Sequence, residues 1–278
     1  MKSIFKSVLI ILTAVTFHGC DVVNPPYQTV SPQVTGSRKV LVEDYTGHKC
    51  GNCPRASKAI YDIKESFGEN MIIMAIHAGG FSDPFPAGAP YYTYDFRTPE
   101  ATELDTDFGI SLAGNPNGMI NRKLVNGSYI IGSTKWASEA AKVLFDQTPV
   151  PVKLTINNNY SASSRELQTS VQSEFFSTLT GTHKLCVFLV EDSIVNWQKD
   201  YDVVPNDIEF YTHREVFRRS MNGTYGEQVS NTTEGQTTSL NYTYTLPVEW
   251  NDEHVSIVTY IYNDATKEII QVEQQDIK

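Results

Sequence analysis

The sequence predicts an α/β domain over residues 38–147 followed by an all-β sandwich over 150–278. Three observations carry that expectation. Cys50-Gly51-Asn52-Cys53 lies between a strand-like apolar run and a helix-like run, and so short a spacing lets the two sulfurs close a disulfide or share a metal. Residues 38–147 alternate strand-like and helix-like segments. Beyond Val150 the texture changes to period-two segments split by turn residues, the pattern of short antiparallel strands.

Residues 1–19 read as an export signal. Lys2 and Lys6 give it a positive start, and 8–15 is an apolar stretch too short to span a bilayer. Gly19-Cys20 follows directly and resembles the lipobox of bacterial lipoproteins, in which the Cys20 thiol is acylated and becomes the first residue. An ordinary cleaved signal with an incidental cysteine is the alternative. Residues 20–37, with Pro25, Pro26 and Pro32, read as an extended flexible tether. The attachment to a membrane is therefore expected through lipid on Cys20, with a soluble body beyond it. Export also places the other cysteines where disulfides persist.

Strand one is expected at 39–45. A helix follows from about Cys53 to 67, with Pro54 suited to its first turn and Ala56, Ala59, Ile60, Ile63 and Phe67 at three- to four-residue spacing. Gly68 ends it. Residues 71–76 form a continuous apolar strand of the kind covered on both faces. An irregular aromatic stretch at 79–97 precedes a helix from Thr98 to about 108. Two hairpin-like strands are expected near 118–124 and 128–131, turning at Asn126-Gly127. A helix at 134–145, opened by Ser133, closes the unit. Strand–helix–strand, then helix–hairpin–helix, is the element order of a thioredoxin fold. In the second part strands are expected at 152–156, 185–190, 240–246, 255–262 and 268–272, spaced as in an antiparallel sandwich.

The 278 residues suffice for two domains. A net charge of −10, with no Lys/Arg cluster, argues against a nucleic-acid partner. The chemistry rests on Cys50 and Cys53. A cysteine at a helix N-terminus faces unpaired N–H groups that favour the thiolate, and His48 and Lys49 could add positive charge. Cys50 is expected to attack and Cys53 to resolve; a structural disulfide is the alternative. Pro116, within Gly114-Asn115-Pro116-Asn117-Gly118, is the candidate for a cis-proline lying against the pair, a trans turn being the bland reading. Asp44, six positions before Cys50, is the candidate general base for Cys53, although Glu43 is adjacent; a carboxylate at a strand end in solvent is the alternative.

The remaining polar groups carry less. His48 is expected to be exposed and His77 to be a satisfied structural histidine. Cys186, inside an apolar run, is expected to be an inert buried thiol. One C-x-x-C supplies only two of the four ligands a structural zinc site needs, so no metal or other cofactor is expected. The 79–97 stretch reads either as a lid or peptide-binding surface beside the thiols, or as packing between domains. On a strand, His213, Glu215, Phe217 and Arg219 would share one face.

The run 42–54, containing Glu43, Asp44, Cys50, Cys53 and Pro54, together with Gly114-Asn115-Pro116, Asn121-Arg122 and the 213–226 segment, resembles the outer-membrane-protein-28-related lipoproteins of Bacteroides-like bacteria. That resemblance implies a thioredoxin-like domain followed by an immunoglobulin-like sandwich, attached to the outer membrane. The chain departs from the thioredoxin pattern in carrying Lys49 where a Trp precedes the first cysteine, and Pro54 just after the second. The expected function is thiol–disulfide exchange with exported proteins or peptides. The alternative is a non-enzymatic surface or adhesion lipoprotein with a structural disulfide.

Overall fold

β1 (Val40–Thr46) and β2 (Met71–His77) are apolar runs without alternation, and each is buried along its whole length. Strands covered on both faces require this. They lie parallel, joined by α1 (Cys53–Phe67). The computed structural model describes residues 38–278, so the expected export signal (1–19), the tether (20–37) and Cys20 lie outside the described residues. Among the described residues no helix is long and apolar enough to cross a membrane.

After β2 the irregular aromatic segment leads to α2 (Pro99–Phe108). Thr98 caps it, its hydroxyl accepting a hydrogen bond from the Ala101 amide at 3.0 Å, and Gly109 closes it at φ 67°. β3 (Asn117–Ile120) and β4 (Ile131–Gly132) are shorter than the expected hairpin. Asn126 and Gly127 do turn with positive φ, and Val125 and Ser128 exchange amide hydrogen bonds. The ladder nevertheless breaks at Asn121 and Arg122, which sit at φ 45° and 49°. α3 (Trp136–Leu144) follows a short 3₁₀ turn at Ser133–Lys135.

The rest of the chain is strand: β5 (Val152–Ser161), β6 (Glu166–Phe175), β7 (His183–Glu191), β8 (Ile194–Lys199), β9 (Asp207–His213), β10 (Val216–Ser220), β11 (Glu227–Gln228), β12 (Thr237–Thr245), β13 (Val255–Asn263) and β14 (Ile269–Asp276). These strands do not form a separate sandwich. One nine-stranded mixed sheet runs β14-β13-β7-β10-β2-β1-β3-β4, with β11 beside β7. β5, β6 and β12 make a three-stranded sheet, and β8 and β9 a two-stranded one.

This architecture overturns the expected thioredoxin-like α/β domain followed by an immunoglobulin-like sandwich. The described residues are mostly β, with three α-helices, and the central sheet crosses both halves of the chain. The junction is β10 on β2. Val216 pairs with Ala75, and the Ala75 amide donates to the Glu215 carbonyl at 2.8 Å. An apolar strand such as β2 cannot leave its edge unpaired in water, and it finds its partner about 140 positions away.

Packing follows from the alternation of side chains across the sheet. One face carries Leu41, Tyr45, Ile72, Met74, Phe188, Val190 and Tyr260 against α2, a core that spans both halves. On the other face Val40, Val42 and Ile73 pack under α1 and α3, through Ile60, Trp136 and Leu144. Farther along that face, Leu185, Leu189 and Ile257 pack under the three-stranded sheet, through Leu154, Val171 and Phe175.

Candidate functional site

The same alternation separates the two acids of β1. Glu43 points to the α2 face, where Arg122 donates to both its oxygens at 2.9 and 2.6 Å, and Arg122 also donates to the Tyr260 hydroxyl. Both members of that ion pair are fully buried. Asp44 points to the α1 face. There it shares a cavity of about 20 Å³ with Cys53, His77, Gln198, Tyr211 and His213.

Cys50 and Cys53 form a disulfide with a Cα–Cα distance of 5.4 Å. The turn that carries it leaves β1 and enters α1 at Cys53, with Pro54 in the first turn, where a missing N–H costs no hydrogen bond. Gly47 is required here, because a Cβ would lie 2.5 Å from the Phe81 backbone. The Asn115–Pro116 bond is cis, and Asn117 pairs with Tyr45, which places Pro116 beside the end of β1 where the cysteine turn departs.

Asp44 is 3% exposed, and its Oδ1 has no hydrogen-bond partner among the described residues. Burial pushes its carboxyl up to about 7, because an unpaired carboxylate is costly in an apolar surrounding. Three histidines crowd the same region. His77 stacks on Phe96 at 4.5 Å, Phe96 contacts His213 at 4.5 Å, and His48 meets Phe96 edge-on at 5.7 Å. Desolvation lowers His48 to about 4 and His213 to about 3, and lowers His77 strongly.

These facts correct two expectations. His48 is fully buried rather than exposed, so it is neutral at pH 7 and adds no positive charge beside Cys50. His77 is not a satisfied histidine: neither ring nitrogen has a partner among the described residues. A third correction concerns the 213–219 run. It does not form one strand with a shared face, because β9 ends at His213 and Glu215 turns at φ 48° before β10 begins. Cys186 is buried, and desolvation raises its thiol to about 12.

The disulfide is covered. Cys50 is 2% and Cys53 3% exposed, and the cover is the β8–β9 hairpin, which sequence reasoning missed. Its backbone docks on the cysteine turn: Lys199 N donates to His48 O at 2.8 Å and Tyr201 N to Gly51 O at 2.9 Å. The Gln198 amide donates to Cys50 O at 3.1 Å. The Tyr201 ring lies over Gly51, where a Cβ would meet it at 2.6 Å. Arg55 of α1 holds Asp202 through two hydrogen bonds. The aromatic 79–97 segment buttresses the hairpin, with the Tyr92 hydroxyl donating to Asp207 and Tyr91 meeting Trp197 at 5.5 Å. The turn residues of 200–206 were the available signal; the mixed polarity of the flanking strands hid the rest.

No curated protein matches this sequence. Among solved structures the chain is similar to HBP35 of Porphyromonas gingivalis, at 12% identity and a TM-score of 0.65, covering 87% of this chain and 76% of that one. It is similar to a protein of Agrobacterium tumefaciens at 12% identity and a TM-score of 0.51, covering 87% and 96%. These two likenesses concern the fold. A domain of the outer membrane lipoprotein Omp28 from Porphyromonas gingivalis matches at 18% identity and a TM-score of 0.33, covering 48% of this chain and 93% of that one. The model of the family described as Outer membrane protein Omp28 matches residues 103–278, and the chain belongs to that family.

Proposed function

We propose that this protein is anchored to the outer membrane by lipid on Cys20 and exchanges disulfides with exported proteins or peptides through Cys50 and Cys53. One observation carries the reading. A protonatable carboxyl group, Asp44, is buried unpaired in the cavity that Cys53 lines. A disulfide serving only as a staple has no use for such a group, which costs stability whenever it ionises. Its carboxyl, pushed up to about 7, is matched to proton transfer near neutral pH.

In the reduced protein the Cys50 thiolate attacks a client disulfide. One client sulfur leaves as a thiolate and a mixed disulfide forms. The Asp44 carboxylate accepts the proton of the Cys53 thiol. The Cys53 thiolate then attacks the Cys50 sulfur, closing the Cys50–Cys53 bond and releasing the second client sulfur as a thiolate. The client gains two electrons and the cysteine pair loses two. N–H groups of the first turn of α1 stabilise the anion at this end of the helix. Because the disulfide lies under the β8–β9 hairpin, the client reaches it when that hairpin lifts.

The test is insulin reduction driven by a dithiol, with Cys50→Ser abolishing turnover. Capture of exported proteins as mixed disulfides by Cys53→Ala would identify the clients. The burial of both sulfurs favours a second reading, a non-enzymatic surface or adhesion lipoprotein held by a permanent disulfide. A reduction potential well below about −300 mV, together with no insulin turnover, would favour that second reading. Cys20→Ser is expected to move the protein from the membrane fraction to the soluble fraction.

A further inference from the structure

We infer that His77 is the positioning partner of Asp44: across the cavity beside Cys53, one of its ring nitrogens donates a hydrogen bond toward the Asp44 carboxylate, the form that takes the proton from the Cys53 thiol. The inference rests on the exchange reading above and deepens it.

Thr46 pairs with His77 and Asp44 with Ala75 on parallel strands. Paired residues share a sheet face, so Asp44 and His77 are diagonal neighbours on the α1 side. Cys53 opens α1 directly above them, and all three line the same cavity. Both polar side chains are at most 3% exposed. Asp44 Oδ1 and both ring nitrogens of His77 have no partner among the described residues. Buried polar groups in native proteins are nearly always paired, and exceptions call for an explanation. The cavity that both line, at about 20 Å³, has room for one water molecule.

The groups around the pair do not supply a substitute. Tyr61 of α1 does not line this cavity, and the Tyr211 hydroxyl of β9 is engaged with Ser57. His213 is turned to the Trp197 carbonyl at 3.3 Å. Arg214 is held by Asp192 at 3.2 Å, and Arg218 by Glu191 at 3.4 Å. His48 faces the Asp83 carbonyl at 3.4 Å. His77 is therefore the neutral N–H donor left for the carboxylate. Neutral imidazole suits this task, because a cation would hold Asp44 ionised and remove it as a proton carrier at neutral pH.

The balance of the step is simple. A proton moves from the Cys53 sulfur to Asp44, the S–H bond breaks and an O–H bond forms; His77 keeps its own proton throughout. Losing the donor raises the cost of the carboxylate alone, so the titration of Asp44 should move while the rest of the fold stays.

The test uses the full chain. The carboxyl of Asp44 is followed against pH by ¹³C NMR in the wild type, in His77→Gln, which keeps an N–H donor, and in His77→Phe, which keeps the stack on Phe96 without one. A rise of one pH unit or more in His77→Phe, with His77→Gln near the wild type, is the expected result. An unchanged midpoint in His77→Phe overturns the inference. Should His77→Phe fail to fold, ¹⁵N shifts of the His77 ring in the wild type decide. They should change with the midpoint of Asp44, and their indifference to that titration overturns the inference equally. Neither measurement needs a client, so the inference can fail while exchange stands, and insulin turnover can fail while the hydrogen bond stands.

Discussion

Asp44 is a buried carboxyl group whose Oδ1 has no protein partner among the described residues, and burial raises its folded-state affinity for a proton. That has a stability consequence with a definite sign. The folded carboxyl titrates at about 7 against an ordinary value of 3.8, so between roughly pH 4 and pH 7 the folded state holds a proton that the unfolded chain has released. Stability therefore falls as pH rises through that window and levels above it, by on the order of 4 kcal/mol at most. Asp44→Asn is expected to flatten the profile and to be the more stable protein at pH 8. Urea denaturation of the oxidised protein from pH 5 to pH 8 measures this, and parallel profiles for the two proteins would count against an unpaired buried acid. Glu43, one residue away, shows the opposite solution. It is as deeply buried but carries a bidentate arginine, so its charge is compensated.

At the scale of elements, the β8–β9 hairpin governs access to the cysteine pair. It belongs to neither larger sheet, and on the cysteine turn it rests on two backbone hydrogen bonds, the Gln198 amide, the Tyr201 ring and the Arg55–Asp202 pair. A two-stranded element docked on that turn through a few polar contacts and one ring opens locally at a lower free energy than the core sheets. Gly51→Ala puts a methyl group against the Tyr201 ring, and Tyr201→Ala removes the ring itself. Both are expected to speed reduction of the disulfide by dithiothreitol, by about tenfold for each 1.4 kcal/mol of lost closure. Quench-alkylation time courses read the rate. Reduction as slow as in the parent protein for both variants would mean that the hairpin does not control access. The double variant Tyr201→Ala/Gly51→Ala should exceed Gly51→Ala alone only slightly, because both act on one contact.

At the scale of the molecule, β10 lying on β2 ties residues near 75 to residues near 216 in one sheet, and a shared core runs across that join. The described body is therefore expected to unfold in a single calorimetric transition, with calorimetric and van't Hoff enthalpies in agreement. A fragment ending at residue 149 loses the strand that pairs the edge of β2. It also uncovers Tyr45, Met74 and Ile76, which pack in the shared core. It should show no near-ultraviolet circular dichroism and should aggregate; a soluble, cooperatively folded fragment would contradict this account.

The sequence by itself determined the local grammar of this protein. The apolar runs of β1 and β2, the Thr98 cap, the Asn126-Gly127 turn and the Cys50/Cys53 spacing each act over a few residues, and the structure contains them as read. β6 escaped because Thr169 and Ser173 stand on its inward face between Leu167, Val171 and Phe175, which blurs the period-two signal. What only the tertiary structure decided is which strands share a sheet, and what covers the disulfide. Local patterning carries no information about a pairing between positions 75 and 216, or about a hairpin near 200 docking on a turn near 50. Those contacts are chosen by burial of apolar edges across long loops, a property of the whole chain. The choice between Glu43 and Asp44 lay between the two levels: alternation set them on opposite faces, and only the packed helices showed which face holds the sulfur.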